Sequence, residues 1–192
     1  MITGEKGSGK TSLCEWCISE FQSRNYNVAG LISISDYEDH EKTNIRVRNI
    51  RSGETHLLAQ KIDAFDYSSL TPRWKFDLEG FEWGNQQITN SVPCDLLIID
   101  ELGLMEFTHQ KGWMNAFPIL MGKNFQVALV VIRPQLLSKA KEILGKFQLF
   151  KIDDRDPDLN RKRIDRLVSE NLESRVSEQK LVRKDTKSHT HI

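Results

Sequence analysis

The sequence has few cysteines, no excess of either charge and no long apolar run, and each of these absences excludes a class of protein. Its 192 residues include three cysteines, too few and too unevenly spaced for a disulfide framework. The 27 basic and 27 acidic side chains cancel, so no overall positive field attracts nucleic acid or an anionic membrane. No window approaches the ~18 apolar residues of a membrane span, and no apolar leader follows Met1. We therefore expect a cytoplasmic protein without a membrane segment or a nucleic-acid partner.

Two of the cysteines, Cys14 and Cys17, form a CxxC pair. The pair lies within a predicted helix, beside the apolar residues Leu13, Ile18 and Phe21. A metal site would need a second pair of ligands, and the sequence offers none. We interpret both thiols as small apolar residues of the helix, with metal or redox chemistry as the alternative.

Apolar periodicity predicts alternating helices and strands up to residue 152. The predicted helices are 10–23, 78–90 (interrupted by Gly80 and Gly84), 112–121 and 134–144, the predicted strands are 28–35, 94–100, 125–132 and 146–152, and 43–49 forms a hairpin with 54–60. Such alternation is typical of an α/β fold, a three-layer sandwich with a mostly parallel central sheet, here with an inserted antiparallel hairpin. We expect residues 1–152 to form one domain, and 153–192 a charged tail that is either a docked amphipathic helix or a partly ordered arm.

The stretch "GEKGSGKT" at 4–11 matches the pattern GxxxxGK[ST] of a phosphate-binding loop (P-loop). Glycines let backbone N–H groups and a helix N-terminus converge on an anion. Lys10 is placed to reach the β- and γ-phosphates, and the Thr11 hydroxyl to ligate Mg²⁺. The predicted nucleotide-binding residues are Gly4, Glu5, Lys6, Gly7, Ser8, Gly9, Lys10, Thr11 and Ser12.

An apolar strand in "LLIIDELGLME", 96–106, delivers two acids to the same edge of the sheet. Asp100 is predicted to hold the Mg²⁺ shell, and Glu101 to orient or deprotonate an attacking water. We expect the strand 125–132 to lie between the loop strand and the Asp100 strand, as in the class of P-loop proteins with a glutamate beside the Walker B aspartate.

"ITGEKGSGKT" together with "LLIIDELGLMEF" resembles the small nucleoside-triphosphatase family described from thermophilic bacteria, which includes the animal cancer-related nucleoside-triphosphatase. "NIRVRNIRSGETHLLA" and "RWKFDLEGFEW" are similar to two further stretches of that family, and the resemblance covers about residues 2–152. It implies hydrolysis of the terminal phosphate of several nucleoside triphosphates with Mg²⁺ and little choice of base. By position it also implies that the P-loop residues and Asp100 hold phosphate and metal, and that Glu101 activates water.

The chain departs from the family pattern at both ends. Only Met1, Ile2 and Thr3 precede the loop, where the family has a full strand, so we expect either a fragment of a longer product or a very short first strand. The 40 residues after 152 have no counterpart in the pattern, and we consider a protein partner for this tail.

Other candidates lie near the same sheet edge. Arg133 follows the strand 125–132 and either senses the γ-phosphate and neutralises charge in the transition state, or caps the strand in solvent. Glu106 either approaches the metal or fixes its own segment. Secondary candidates with structural alternatives are Asn160 and Arg161 for nucleotide contact, Arg46 and Arg48 for an extra phosphate or nucleic acid, and Trp74, Phe76, Phe81 and Trp83 for base stacking.

Two other functions stay open. Asp36 stands where small-molecule kinases place an acid for the acceptor hydroxyl, so one alternative is a P-loop kinase of nucleosides or nucleotides. The other is a nucleotide-gated binding module without significant turnover.

Overall fold

The computed structural model describes residues 1–62 and 73–188, with side chains of the last helix described as far as Glu173, and its centre is one sheet with helices on both faces. The strands are β1 (Ile2–Thr3), β2 (Val28–Glu38), β3 (Glu41–Asn49), β4 (Thr55–Lys61), β5 (Trp74–Phe76), β6 (Cys94–Leu102), β7 (Phe125–Ile132) and β8 (Phe150–Lys151). The helices are α1 (Lys10–Ser23), α2 (Leu78–Thr89), α3 (Leu104–Phe107), α4 (Ala116–Gly122), α5 (Leu137–Leu144) and α6 (Pro157–Ser188), and a 3-10 turn, Pro134–Leu136, precedes α5.

The strand order is β5-β4-β3-β2-β6-β7-β1-β8. The pairs β2–β6, β6–β7, β7–β1 and β1–β8 are parallel, whereas β2–β3, β3–β4 and β4–β5 are antiparallel. β7 lies between the loop strand β1 and the acid-bearing strand β6, so the predicted order is confirmed. The carboxyl ends of β1 and β6 therefore open on the same edge of the sheet, two strand positions apart.

Alternate residues of the central strands enter two separate cores. Ile98 of β6 packs toward α1 and α6, whereas Ile99 packs toward α2, α4 and α5, and both are fully buried. Cys14 and Cys17 are also fully buried, in the first of these cores, which agrees with their interpretation as apolar helix residues. Each fully buried Ile or Leu contributes about 1.5–3 kcal/mol, and these cores hold the sheet edge that carries the site.

The antiparallel part of the sheet is larger than the sequence predicts. The predicted hairpin is present as β3 and β4, but β2 runs on to Glu38 and turns back through Asp39 and His40, both with positive φ, into β3. β2 is therefore parallel to β6 on one side and antiparallel to β3 on the other. Its end projects beyond the sheet edge on which the P-loop lies.

Three predicted elements differ in extent. The strand predicted at 146–152 is only Phe150–Lys151, because the two residues of β1 offer it no longer partner. The helix predicted at 112–121 begins at Ala116, because Gly112 has a φ of +79° and starts a turn. Helix α2 runs unbroken through Gly80 and Gly84, where a Cβ would come within 2.2 Å of the Leu57 carbonyl oxygen and of the Trp113 ring, respectively. Both glycines permit close packing and do not interrupt the helix.

The segment after Ile152 docks against the domain as α6. Ile164, Val168 and Leu172 follow helical spacing and are fully buried in the core that α1 shares. Arg24 at the end of α1 donates to Asp165 at 2.8 Å. The docked-helix alternative therefore holds at least as far as Leu172. In the part of the chain that is described, no helix is both long and apolar enough to cross a membrane.

Candidate active site

The P-loop connects β1 to α1 through two glycines in the left-handed region. Gly7 and Gly9 have φ of +81° and +87°, and a Cβ at either position would meet no atom within 4 Å, so backbone conformation is what requires glycine here. A Cβ at Gly4, by contrast, would lie 2.5 Å from the Ser8 hydroxyl oxygen. Gly9 immediately precedes α1 and its carbonyl accepts from Leu13, so the helix N-terminus opens directly into the loop.

Lys10, the first residue of α1, is held inside the loop. It is 8 % exposed, and its Nζ donates to the carbonyl oxygens of Gly4 at 2.8 Å and of Glu5 at 2.6 Å. These two hydrogen bonds hold the Lys10 side chain across the P-loop. An ammonium group in that position lies where the outer phosphates of a nucleotide would be bound.

Thr11 and Asp100, which are far apart in the sequence, meet at the sheet edge. The Thr11 hydroxyl donates to Asp100 Oδ2 at 2.8 Å. Asp100 is 3 % exposed, and its backbone carbonyl accepts from the Ser33 hydroxyl at 2.6 Å. The peptide bond between Asp100 and Glu101 is cis. The loop and the end of β6 are thus brought to one point, as the sequence predicts.

Burial perturbs the Asp100 carboxyl strongly. Desolvation raises its pKa from 3.8 to about 6, and the neighbouring Glu101 charge acts in the same direction, whereas the Thr11 hydroxyl and Lys10 favour the ionised form. A buried carboxylate of this kind is stabilised by a cation, and the oxygens of Thr11 and Asp100 are the hard donors that Mg²⁺ takes together with substrate phosphates. The residues therefore fit a magnesium ion.

Glu101 and Arg133 form an ion pair at the same edge. The Arg133 guanidinium donates from both Nε and a terminal nitrogen to Glu101 Oε1, each at 2.7 Å. Both side chains are partly exposed, so the pair itself contributes little to folding stability. The ion pair fixes the position of the Glu101 carboxylate next to Asp100, and it keeps the Arg133 guanidinium beside that carboxylate.

Glu106 fixes its own segment. It is 5 % exposed, and its two carboxylate oxygens accept from the backbone N–H groups of Gly103 at 2.7 Å and Trp113 at 2.9 Å. A Cβ at Gly112 would lie 2.0 Å from one of these oxygens. Burial raises the pKa of this carboxyl, and the two backbone donors lower it. The Glu106 side chain holds the turn after β6, which agrees with the interpretation that it fixes its own segment and not with an approach to the metal.

Several secondary candidates have other partners. The Asp36 carboxylate accepts from Arg46 at 2.9 Å on the neighbouring strand, and Arg48 lies 3.8 Å from Glu15. The Asn160 side chain is buried and bonds the backbone of Asp153 at the start of α6. Arg161 pairs with Asp158, Trp83 stacks on His56, Phe76 stacks on Phe81, and Lys42 lies over the Trp74 ring. A cavity of about 390 Å³ lies apart from the P-loop and is lined by Glu38, Thr43, Asn44, Gln60, Lys61, Ile62 and Lys75.

Lys42 is a charged residue near the site that the sequence pattern does not indicate. Lys42 lies near the start of β3, and the charged groups that act on its ammonium include Lys6, Glu101, Asp100 and Arg133. Alternation along "TNIRVRN" gives no indication of this position, because Thr43 is an extra residue between the pairs Asp36–Asn44 and Tyr37–Lys42. Such a bulge changes the face on which the next side chain lies.

A glycine loop that opens α1, an acid pair that ends β6 and the intervening strand β7 define a P-loop NTPase fold. The chain belongs to the NTPase family, whose model matches residues 1–178, and the protein is accordingly a nucleoside-triphosphatase enzyme by family. This match extends past residue 152, the limit of the motif-based resemblance, and includes much of α6.

The relatives agree with this assignment. The chain is 27% identical over 176 residues to nucleoside-triphosphatase THEP1 of Archaeoglobus fulgidus, covering 90% of this chain and 97% of the relative. It is 25% identical over 132 residues to THEP1 of Caldivirga maquilingensis, covering 68% and 73%. The fold is similar to the solution structure of a human cancer-related nucleoside triphosphatase (TM-score 0.66, 17% identity, 88% and 94% covered) and to THEP1 from Aquifex aeolicus (TM-score 0.62, 20% identity, 87% and 96% covered).

Proposed function

We propose that this protein hydrolyses the terminal phosphate of nucleoside triphosphates, with Mg²⁺ and with little choice of base. The observation that carries the proposal is the 2.8 Å hydrogen bond between the Thr11 hydroxyl and Asp100 Oδ2. It joins a phosphate cradle and a buried carboxylate at one point, with Glu101 next in the chain. Water is the acceptor in this proposal because an acid directly follows the Asp100 carboxylate.

In this proposal one group of residues binds the phosphates and the metal, and Glu101 activates the water. Backbone N–H groups of the loop and the N-terminus of α1 bind the phosphates. Lys10 exchanges its bonds to the Gly4 and Glu5 carbonyls for phosphate oxygens, and Thr11 and Asp100 would hold the metal. Bound Mg²⁺ would neutralise charge on the phosphates. Glu101 accepts a proton from the attacking water or holds that water in line.

Arg133 has two successive roles in the proposed mechanism. It orients Glu101 through the 2.7 Å ion pair before the nucleotide binds. When the terminal phosphate arrives, its guanidinium provides positive charge where negative charge develops in the transition state. The Asp36 carboxylate, which a kinase would need for its acceptor, is occupied by Arg46 on the antiparallel strands, and this geometry favours hydrolysis over transfer.

The experiment is a comparison of phosphate release by the wild type, Glu101→Gln and Lys10→Ala, with ATP, GTP, CTP and UTP in parallel and with Mg²⁺ present. Glu101→Gln should bind nucleotide but release phosphate about 10²–10⁴-fold more slowly, the range for loss of a general base. Lys10→Ala should lose binding. The four triphosphates should differ little from one another.

Glu142→Gln, at an exposed position of α5, is the matched control for loss of one negative charge and should retain the wild-type rate. Equal rates for the wild type and Glu101→Gln would exclude the proposed water activation. Phosphate transfer to an added nucleoside that disappears in Asp36→Ala, with slow hydrolysis remaining, would replace the proposal by the kinase alternative.

A further inference from the structure

Strand β6 leaves regular pairing at the two acids of the proposed site. Its parallel pairing with β2 ends at Leu31–Ile99, and on the other side its register with β7 shifts between Ile99 and Leu102. Among the described strands, neither neighbour of β6 therefore pairs with Asp100 or Glu101. A strand end with fewer ladder hydrogen bonds is less firmly fixed, so other contacts must hold the main chain that carries both acids.

Ser33 of β2 provides such a contact. Its hydroxyl donates to the backbone carbonyl oxygen of Asp100 at 2.6 Å, a length at the short end of the range for O–H···O hydrogen bonds. The Ser33 side chain is partly buried, and the bond lies just beyond the last residue pair of β2 and β6. A side-chain hydroxyl thus takes the place of a ladder hydrogen bond at this residue.

Ser33 is itself fixed by both neighbours of β2. It pairs with Val47 of β3, which is fully buried in the core on the α2 side. Earlier on the same strand, Gly30 lies so close to β6 that a Cβ would come within 1.9 Å of the Ile98 carbonyl oxygen. The pairing and this close approach together fix the position of Ser33 relative to the end of β6.

Two hydroxyl groups from different elements hold Asp100. Thr11 of α1 donates to its carboxylate at 2.8 Å, and Ser33 of β2 donates to its main-chain carbonyl at 2.6 Å. The first bond orients the side chain, and the second fixes the backbone from which that side chain extends. Glu101 follows through the peptide bond of the same carbonyl group, so the positions of both acids depend on the Ser33 contact.

We propose that Ser33 is a positioning residue, which holds the end of β6 so that the Asp100 carboxylate can bind Mg²⁺ and Glu101 can reach the attacking water. The proposal rests on the proposed function, because it assigns a support to the same site. The antiparallel part of the sheet, which fixes Ser33, would in this way act on hydrolysis through one hydroxyl group. Loss of that hydroxyl should affect metal-dependent binding and turnover more than binding of the nucleotide alone.

The test measures the dissociation constant of the non-hydrolysable analogue AMP-PNP by isothermal titration calorimetry, with Mg²⁺ and with EDTA, and measures kcat separately. Ser33→Ala should weaken binding with Mg²⁺ about fivefold or more, in the range for loss of one hydrogen bond, and change binding with EDTA less than about twofold. Its kcat should fall about tenfold or more, because small displacements of catalytic groups are costly. Ser33→Thr keeps the hydroxyl on a residue that favours strands and should retain the wild-type values.

Ser35→Ala is the matched control. Ser35 lies two residues further along β2 and therefore on the same face of the strand, and its hydroxyl has no hydrogen bond to another described residue. Urea unfolding of each variant checks that it is folded. Equal weakening by Ser33→Ala with Mg²⁺ and with EDTA, no weakening, an unchanged kcat, or the same losses in Ser35→Ala would overturn the proposal, because a purely structural hydroxyl would not act through the metal.

Binding of AMP-PNP needs no turnover, so the two proposals can fail separately. A wild type that binds AMP-PNP more tightly with Mg²⁺ but releases no phosphate would overturn the proposed hydrolysis, and the binding measurements on Ser33→Ala would still support or overturn its role in holding Asp100. A wild type whose affinity for AMP-PNP does not depend on Mg²⁺ would overturn both the metal site and the role of Ser33.

Discussion

Replacing Asp100 by asparagine tests two effects of the buried carboxylate separately. One is its cost to folding stability, and the other is its contribution to Mg²⁺-dependent nucleotide binding. In the folded protein without ligand, burial raises the pKa of this group from 3.8 to about 6. The folded state therefore binds the proton more tightly than the unfolded state does, and ionisation of Asp100 opposes folding. The cost is absent below about pH 3.8, grows as the pH rises toward 6 and is complete above that value.

The size of the effect follows from the shift. A difference of about 2 pKa units at about 1.4 kcal/mol each amounts to about 3 kcal/mol near pH 7.5, and roughly half of that remains near pH 5. Asparagine keeps an oxygen that can accept from the Thr11 hydroxyl and carries no charge. Asp100→Asn should therefore raise the free energy of unfolding by up to about 3 kcal/mol near pH 7.5, and by clearly less near pH 5.

The assay is urea unfolding of both proteins at the two pH values, with a chelator and without nucleotide. Glu142→Gln should change the free energy of unfolding by less than about 0.5 kcal/mol at either pH, as exposed substitutions usually do. The same Asp100→Asn protein should lose Mg²⁺-dependent nucleotide binding. A variant that is less stable than the wild type near pH 7.5, or a gain that does not shrink on acidification, would refute the reasoning.

Two further predictions concern the edges of the site. Arg133→Ala should lower kcat about a hundredfold, in the range for removal of one transition-state donor, with ADP affinity nearly unchanged. Arg166→Ala, at an exposed position of α6, is its control and should keep the wild-type kcat, and an unchanged kcat in Arg133→Ala would remove Arg133 from the mechanism. Ile164→Ala, in a fully buried position of α6, should lower the free energy of unfolding by about 2–5 kcal/mol. Leu159→Ala, 42% exposed on the same helix, should cost far less, and equal losses in urea unfolding would contradict the docking of α6.

The placement of the P-loop and of Asp100 could be predicted from the sequence because their chemistry restricts the residue types. Positive φ at Gly7 and Gly9 requires glycine, and an apolar strand that ends in an acid pair has one sensible position at a parallel sheet edge. The order of β1, β7 and β6 was implied by the likeness to P-loop proteins with a glutamate beside the Walker B aspartate. Fixed spacing and fixed chemistry thus gave both the fold class and the meeting of Thr11 with Asp100.

Features that depend on tertiary packing could not be predicted in this way. The register at the end of β3 is shifted by a single extra residue at Thr43, which pairs Lys42 with Tyr37 and which periodicity does not reveal. Gly80 and Gly84 suggested an interrupted helix because their neighbours, Leu57 and Trp113, are distant in sequence. The length of β8 was set by its partner β1 and not by its own apolar residues.

Helix α1 joins two regions that are remote in the chain. Its first turn contains Lys10 and Thr11, its flank carries Phe21 in the core shared with α6, and its end bears the Arg24–Asp165 contact. A helix is stiff along its axis, so a change in the packing of α6 against α1 can also affect the position of the P-loop at the start of α1. We therefore expect that removal of the last helix loosens the P-loop, although α6 contributes none of the proposed phosphate-binding residues.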